Sequence, residues 1–145
     1  MRIGLIALSG VRAADPELTK LGLTLPGFVE RSQVIASLPS LSLLTLAALT
    51  PPDIEVAYHE VSDLRVQGEL PDGFDLVALS SYSGQIRDAY ELAERYRARG
   101  VPVVMGGPHV TALPEEARAH GATAVVGEGE LSWPRVVEAF RRGRL

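Results

Sequence analysis

Short apolar runs, separated by polar or amphipathic segments, recur along the chain. The runs at residues 3–8, 54–58, 75–80, 101–105 and 124–126 have the length of strands. They are apolar throughout rather than alternating, which is typical of strands that are buried on both faces of a parallel sheet. The pattern therefore predicts five interior strands.

Helical patterns alternate with these strands. The leucine-rich stretch at residues 41–49 is apolar almost all round, which predicts a buried helix that ends before Pro51. Residues 86–99 place apolar positions at three- and four-residue spacing opposite a charged face, so they predict an amphipathic helix. A short helix is predicted to begin at Pro114 and a last one to cover about 132–142. The alternation predicts a single α/β domain with a flavodoxin-like (Rossmann-like), doubly wound, five-stranded parallel sheet.

One connection is unusually long. Residues 9–37 follow the first predicted strand and contain prolines and glycines without a clear helical or strand pattern. Connections of that length are uncommon in a compact domain unless they have a function or are mobile. We predict an irregular insertion there, either a surface flap or a segment that covers a ligand or a neighbouring domain.

Composition narrows the function classes. The chain has 145 residues, 46% of them hydrophobic, and a formal net charge of −4, which gives no general attraction to nucleic acid or to an anionic membrane. Cysteine is absent, which excludes disulfides, thiolate metal sites and a cysteine-ligated iron–sulfur cluster within this chain. No apolar stretch approaches the roughly 20 residues of a membrane span, and the opening lacks a signal-peptide pattern. A cytoplasmic location is expected.

Unusual loop residues cluster after the third, fourth and fifth predicted strands. They are Ser80, Ser81, Tyr82, Ser83, Gly84 and Gln85, then Gly106, Gly107, Pro108, His109, Val110 and Thr111, and finally Gly127, Glu128, Gly129 and Glu130. Carboxyl ends of parallel strands meet at one edge of the sheet, where open α/β folds bind their ligands. These residues are therefore predicted to form a ligand site.

Each loop also has a purely structural interpretation. The serines would cap the next helix, or would bind a phosphate or a polar tail at a helix N-terminus. The pair Gly106 and Gly107 would mark a tight turn, or would let a large flat ligand approach the backbone. His109 would be a hydrogen-bonding partner, a metal ligand or a general base, and Glu128 and Glu130 would serve the dipole of the last helix or form an acid/base pair. Gly-x-Gly-x-x-Gly, Walker and Gly-x-Ser-x-Gly motifs are absent, which disfavours dinucleotide-binding, nucleotide-hydrolysing and α/β-hydrolase functions.

In combination these segments resemble one family. Met-Gly-Gly-Pro-His-Val-Thr at 105–111, Leu-Pro-Glu-Glu-Ala at 113–117 and Val-Val-Gly-Glu-Gly-Glu at 125–130 are similar to the B12-binding domain at the N-terminus of many radical SAM enzymes. Leu-Val-Ala-Leu-Ser-Ser at 76–81 and the leucine-rich stretch at 41–49 fit the same order, so the resemblance covers most of the chain.

The resemblance implies a flavodoxin-like domain that holds cobalamin with its lower base displaced and its nucleotide tail extended into the protein. Ser80, Ser81, Tyr82 and Gln85 would line the tail, although Gln85 stands where related B12 domains carry a threonine. The loops at 106–111 and 127–130 would lie against the tail and complete the pocket. Methyl transfer to an unreactive carbon or phosphorus is the implied chemistry.

Two departures from related proteins shape the prediction. Mutase-type B12 domains carry Asp-x-His-x-x-Gly after their first strand, whereas residues 9–14 here are Ser-Gly-Val-Arg-Ala-Ala. We therefore predict no protein histidine on the cobalt. The expected radical SAM domain, with its iron–sulfur cluster and S-adenosylmethionine, is absent from this chain, which is either a fragment or a relative that acts with a partner chain. Whether the protein is itself an enzyme stays open.

Two other functions are compatible with the sequence. A degenerate scaffold would keep the fold, bind no cobalamin and dock partners. A flavodoxin-like domain would instead bind another phosphate-bearing ligand, such as a flavin, although the Gly-Gly-Pro-His block disfavours this.

Overall fold

The sheet organises the fold. The computed structural model describes residues 1–8, 39–61, 64 and 68–145. Within these residues five strands form one parallel sheet in the order β2-β1-β3-β4-β5. The strands are β1 (Arg2–Leu8), β2 (Glu55–Val61), β3 (Leu76–Ser80), β4 (Val103–Gly106) and β5 (Thr123–Ala124). This is the predicted flavodoxin-like arrangement. The predicted insertion at 9–37 lies entirely outside the described residues.

Helices cover both faces of the sheet. They are α1 (Leu41–Leu49), α2 (Ile86–Ala98), α3 (Pro108–Ala112), α4 (Pro114–Ala119) and α5 (Gly129–Arg141), with a 3-10 turn at Ser83–Gln85. One hydrophobic cluster joins the sheet to α1 and α5, and the other joins it to α2, α3 and α4. Among the described residues, no helix has the length and apolar character needed to cross a membrane.

β1 shows why the strands are apolar throughout. Ile3, Leu5 and Ala7 belong to the cluster under α1 and α5, whereas Ile6 and Leu8 belong to the cluster under α2. Successive side chains of a strand point to opposite faces, so a strand that is covered on both sides must be apolar at every position.

Helix α1 differs from its prediction as a buried helix. Leu43 is 1% exposed, but Leu41 is 79%, Leu44 38% and Leu49 43% exposed. The helix packs one face against the sheet and α5, and no part of the chain that the structure describes covers its other face. An apolar sequence therefore does not imply a buried helix here.

Several element boundaries also differ from the sequence pattern. β2 continues to Val61, beyond the predicted strand at 54–58, because it pairs with β1 as far as Leu8. Residues 106–111 are predicted as a loop, but Pro108–Ala112 form α3, whose first turn suits the fixed φ angle of Pro108. Helix α5 begins at Gly129 rather than near 132. β5 covers 123–124 rather than 124–126, and β4 covers 103–106 rather than 101–105.

Candidate functional site

A cavity of about 450 Å³ opens at the carboxyl edge of the sheet, between the sheet and helices α1 and α5. Its walls come from α1, the ends of β3 and β4, the loops after β3, β4 and β5, and the start of α5. It is lined by Ser42, Leu43, Leu46, Ala78, Leu79, Ser80, Tyr82, Val104, Gly106, Gly107, Pro108, Thr111, Val125, Gly127, Glu128, Gly129, Glu130 and Trp133. All three loops that the sequence singled out therefore meet at one cavity.

The predicted site residues divide into two groups. Those that line the cavity are Ser80, Tyr82, Gly106, Gly107, Pro108, Thr111, Gly127, Glu128, Gly129 and Glu130. Those that do not line it are Ser81, Ser83, Gly84, Gln85, His109 and Val110.

Residues of the second group contribute to the hydrophobic core, to turns or to hydrogen bonds near the cavity, but do not line it. The Ser81 side chain is buried, and its hydroxyl donates to the carbonyl of Tyr82 at 3.0 Å. Val110 is fully buried in the core beneath α2. Gly84 and Gln85 belong to the 3-10 turn that leads into α2. The structure thus gives these residues packing or turn positions outside the cavity wall.

His109 joins three segments through hydrogen bonds. Its Nδ1 lies 3.0 Å from the hydroxyl of Ser83, and its Nε2 lies 3.1 Å from Oε2 of Glu116. The same carboxylate oxygen accepts a hydrogen bond of 3.1 Å from the Tyr90 hydroxyl. The bond from His109, followed by that from Tyr90, holds the pKa of Glu116 below its ordinary value of 4.5. His109 therefore acts as a hydrogen-bonding partner between α3, α4 and the turn after β3.

Gly107 brings two of the loops into contact. Its backbone has φ +109° and ψ 177°, a region that is essentially reserved for glycine. A Cβ atom added there would lie 2.9 Å from the carbonyl oxygen of Ser81. The preceding residue, Gly106, pairs in register with Ser80 at the ends of β4 and β3. The glycine pair therefore fits the two loops closely against each other.

Some cavity residues were not predicted. They are Ser42, Leu43, Leu46, Ala78, Leu79, Val104, Val125 and Trp133. Most are apolar, and their pattern in the sequence is the same as that of ordinary core residues. Ser42 lies in the first turn of α1, two residues after the N-cap Ser40, a position that the sequence does not mark as part of a site. Its hydroxyl lies 3.3 Å from that of Ser80, which links α1 to the end of β3.

The charged side chains of the cavity lining are acidic. Among the described lining residues there is no lysine, arginine or histidine, and the acidic Glu128 and Glu130 are both exposed. The N-cap residue of α5, Glu128, makes no capping hydrogen bond through its side chain, and the helix begins at Gly129 in the cavity wall. An anionic group here would be held by hydroxyls and backbone N–H groups rather than by ion pairs. The described residues also contain no cluster of three or more His, Asp or Glu side chains arranged to hold a metal ion.

Comparison with known proteins identifies the family of the chain. Residues 43–137 match the B12 binding domain family. The chain belongs to this family. The matched segment starts in α1 and ends in α5, so it includes every lining residue of the cavity except Ser42. The family match thus agrees with the observed flavodoxin-like fold.

Relatives of this B12-binding domain are methyltransferases by name. It is 35% identical over 108 residues to bacteriochlorophyllide d C-8(2)-methyltransferase of Chlorobaculum tepidum, and 31% identical over 108 residues to the C-12(1)-methyltransferase of the same organism. Each alignment covers 72% of this chain and 23% of the relative. An uncharacterized methyltransferase of Synechocystis is 33% identical over 107 residues, which is 73% of this chain and 20% of the relative. The chain thus spans less than a quarter of these relatives.

Proposed function

We propose that this B12-binding domain holds cobalamin with the lower base displaced from the cobalt and the nucleotide tail inserted in the cavity between the sheet, α1 and α5. The cavity itself is the observation that carries this proposal. It measures about 450 Å³ and lies at the carboxyl edge of the sheet, where the three loops meet. Residues 43–137, which match the B12 binding domain family, include all but one of its lining residues. Its floor is aromatic and apolar at Trp133 and Leu43, which suits a flat base.

The chemistry of the lining suits the rest of the tail. Cobalamin carries one phosphodiester and otherwise neutral amide groups, and the cavity offers the hydroxyls of Ser42, Ser80 and Thr111 with the start of α5. The described lining residues include no histidine, and His109 is engaged by Ser83 and Glu116. These observations support binding without a protein imidazole on the cobalt. The stretch 9–14, where mutase-type domains carry their ligand histidine, lies outside the described residues.

We further propose that the bound cofactor serves an adjacent radical SAM domain, in the same chain or in a partner. Bound cobalamin would supply a cobalt that carries a methyl group. The names of the relatives support methyl transfer, and their greater length leaves room for the domain that binds the iron–sulfur cluster, S-adenosylmethionine and the substrate. A Cys-x-x-x-Cys-x-x-Cys motif downstream in the gene would support a domain in the same chain, whereas its absence would favour a partner chain.

Cobalamin binding is tested by mixing the purified chain with hydroxocobalamin, desalting the mixture and recording its UV-visible spectrum. We expect stoichiometric retention with a base-off spectrum. Leu46→Trp would fill the cavity and abolish retention. Leu44→Trp is the matched control, because Leu44 lies on the same helix, is 38% exposed and does not line the cavity. Loss of colour from a wild-type chain that stays folded by circular dichroism would overturn the proposal, and a base-on spectrum would overturn its base-off part.

A second candidate function is a scaffold that docks partners and holds no cobalamin. The exposed leucines of α1, Leu41 and Leu44, favour it, because such side chains are typical of surfaces that meet another protein. Loss of corrinoid from the folded chain would favour this scaffold over cofactor binding.

A further inference from the structure

The cavity has an apolar floor and a polar rim. The floor consists of the side chains of Leu43, Leu46, Ala78, Val104 and Trp133, and four of these residues are at most 3% exposed. The polar side chains of the lining lie at the more exposed rim and are Ser42, Ser80, Tyr82, Thr111, Glu128 and Glu130. A ligand that fills the cavity therefore meets hydrogen-bonding groups at the rim and hydrocarbon at the floor.

The one polar side-chain atom of the floor is already satisfied. Nε1–H of the Trp133 indole donates to the hydroxyl of Thr50 at 2.8 Å. The indole is an N–H donor without an acceptor, so this bond uses its whole hydrogen-bonding capacity. Trp133 thus presents only its ring to the cavity.

The backbone N–H and C=O groups of the strands beneath the floor are used in sheet hydrogen bonds. Ala78 pairs with Leu5 on one side and with Val104 on the other, and Val104 pairs with Ala78 and Thr123. Strands with a neighbour on both sides use their N–H and C=O groups in the sheet ladders. The floor therefore offers a buried ligand no free donor or acceptor from these strands.

From this distribution we propose that the floor selects the lower base of the corrinoid, favouring benzimidazole-type bases over purines. The inference rests on the proposed insertion of the nucleotide tail. The six-membered ring of a benzimidazole carries C–H or methyl groups, which match the floor. The six-membered ring of adenine instead contains two nitrogens and carries an amino group. Buried without partners, these polar groups lose their hydrogen bonds to water and weaken binding.

The first test compares three corrinoids by absorbance titration of the full chain. They are cobalamin, the corresponding adenine-containing cobamide, and cobinamide, which has no nucleotide. We expect cobalamin to bind about 10- to 100-fold more tightly than the adenine cobamide, the range expected when one or two buried polar groups lose their partners. Cobinamide is expected to bind more weakly than cobalamin because it leaves the floor empty.

The second test changes the floor with a nearly isosteric pair of variants. Val104→Thr places a hydroxyl on the floor. It should reduce the ratio of the affinity for cobalamin to that for the adenine cobamide several-fold. Val103→Thr is the matched control, because Val103 is the neighbouring residue of β4, is 2% exposed and packs in the opposite core. Val103→Thr should leave the preference for cobalamin over the adenine cobamide unchanged. It should lower the free energy of unfolding by about as much as Val104→Thr does.

The outcomes separate this inference from the proposed function. Equal affinity for cobalamin and the adenine cobamide would overturn the selectivity while leaving cobalamin binding intact. Cobinamide binding as tight as that of cobalamin would overturn occupation of the floor by the base. Failure of all three corrinoids to bind the folded chain would overturn the proposed function and this inference with it.

Discussion

The hydroxyl of Thr111 accepts a hydrogen bond of 3.1 Å from the backbone N–H of Gly127. This bond joins α3 to the loop between β5 and α5, and both residues line the cavity. Helix α3 and the loop before α5 are thereby held at a fixed distance across the rim. A ligand that bridges them meets a preorganised surface and loses less free energy in ordering it.

Replacing Thr111 tests this link. Thr111→Val keeps the shape but removes the acceptor, and should lower the affinity for cobalamin about 2- to 10-fold, as expected for one hydrogen bond. Thr111→Ser should restore most of the affinity. The control is Thr45→Val, which removes an exposed threonine hydroxyl bonded to Leu41 on α1, outside the cavity. Equal affinities of the valine and serine variants in titrations would contradict the role of the hydroxyl.

Gly107 should be the glycine of the site that tolerates a side chain least. Gly107→Ala forces a Cβ to within 2.9 Å of the Ser81 carbonyl in a backbone region disfavoured for other residues, so we expect a loss of about 1–3 kcal/mol in the free energy of unfolding. Urea unfolding measures it. Gly143→Ala is the control, since Gly143 also has positive φ, +63°, but no atom within 4 Å of the added Cβ. If Gly107→Ala lowers the free energy of unfolding no more than Gly143→Ala does, the two loops move apart to accommodate the added Cβ, and this prediction is wrong.

Acid should weaken the fold partly through Glu116. Its pKa is lowered in the folded chain, so its contribution to stability is present above its ordinary pKa of 4.5 and is lost as the pH falls through the folded value. Glu116→Gln should therefore flatten the dependence of the urea midpoint on pH below about 5. Glu115→Gln on the same helix is the control, because its carboxylate pairs with Arg118 instead. An unchanged acid dependence in Glu116→Gln would refute this account.

Alkali should weaken the fold through Tyr96. Burial raises the pKa of its hydroxyl from 10.0 to about 12, and the hydroxyl donates to the carbonyl of Pro71 at 2.7 Å. A raised pKa means that this contribution is complete below pH 10 and is lost as the pH approaches 12. Tyr96→Phe should lower the free energy of unfolding by about 0.5–1.5 kcal/mol at neutral pH and reduce the loss of stability in alkali. Tyr82→Phe, at an exposed site, should change neither quantity. Thermal unfolding across this pH range distinguishes the two variants.

The sequence predicted the frame of the site for a clear physical reason. Parallel strands bring their carboxyl ends to one edge, so loops beginning at Ser80, Gly106 and Gly127 had to be neighbours once the strands were recognised. Local pattern was therefore enough to place the polar rim, with the exception of Ser42.

The floor was harder to predict because it depends on packing. Val103 and Val104 are adjacent and equally apolar, yet one belongs to the core beneath α2 and the other lines the cavity. Likewise the leucines of α1 follow one another without polar marks, and only tertiary contacts separate Leu43 from the exposed Leu41. The helical turn after Pro108 was missed for a related reason, since its glycine-rich start is equally typical of a loop.

The unequal burial of the two cavity walls has a consequence for how a large ligand enters. β3 and β4 form a wall at the centre of the sheet, where backbone pairing on both sides ties opening to unfolding of the domain. The opposite wall, α1, is anchored by one fully buried leucine, Leu43, among its described residues. Local opening follows the weaker contacts, so moving α1 away from the cavity should cost less free energy than separating β3 from β4.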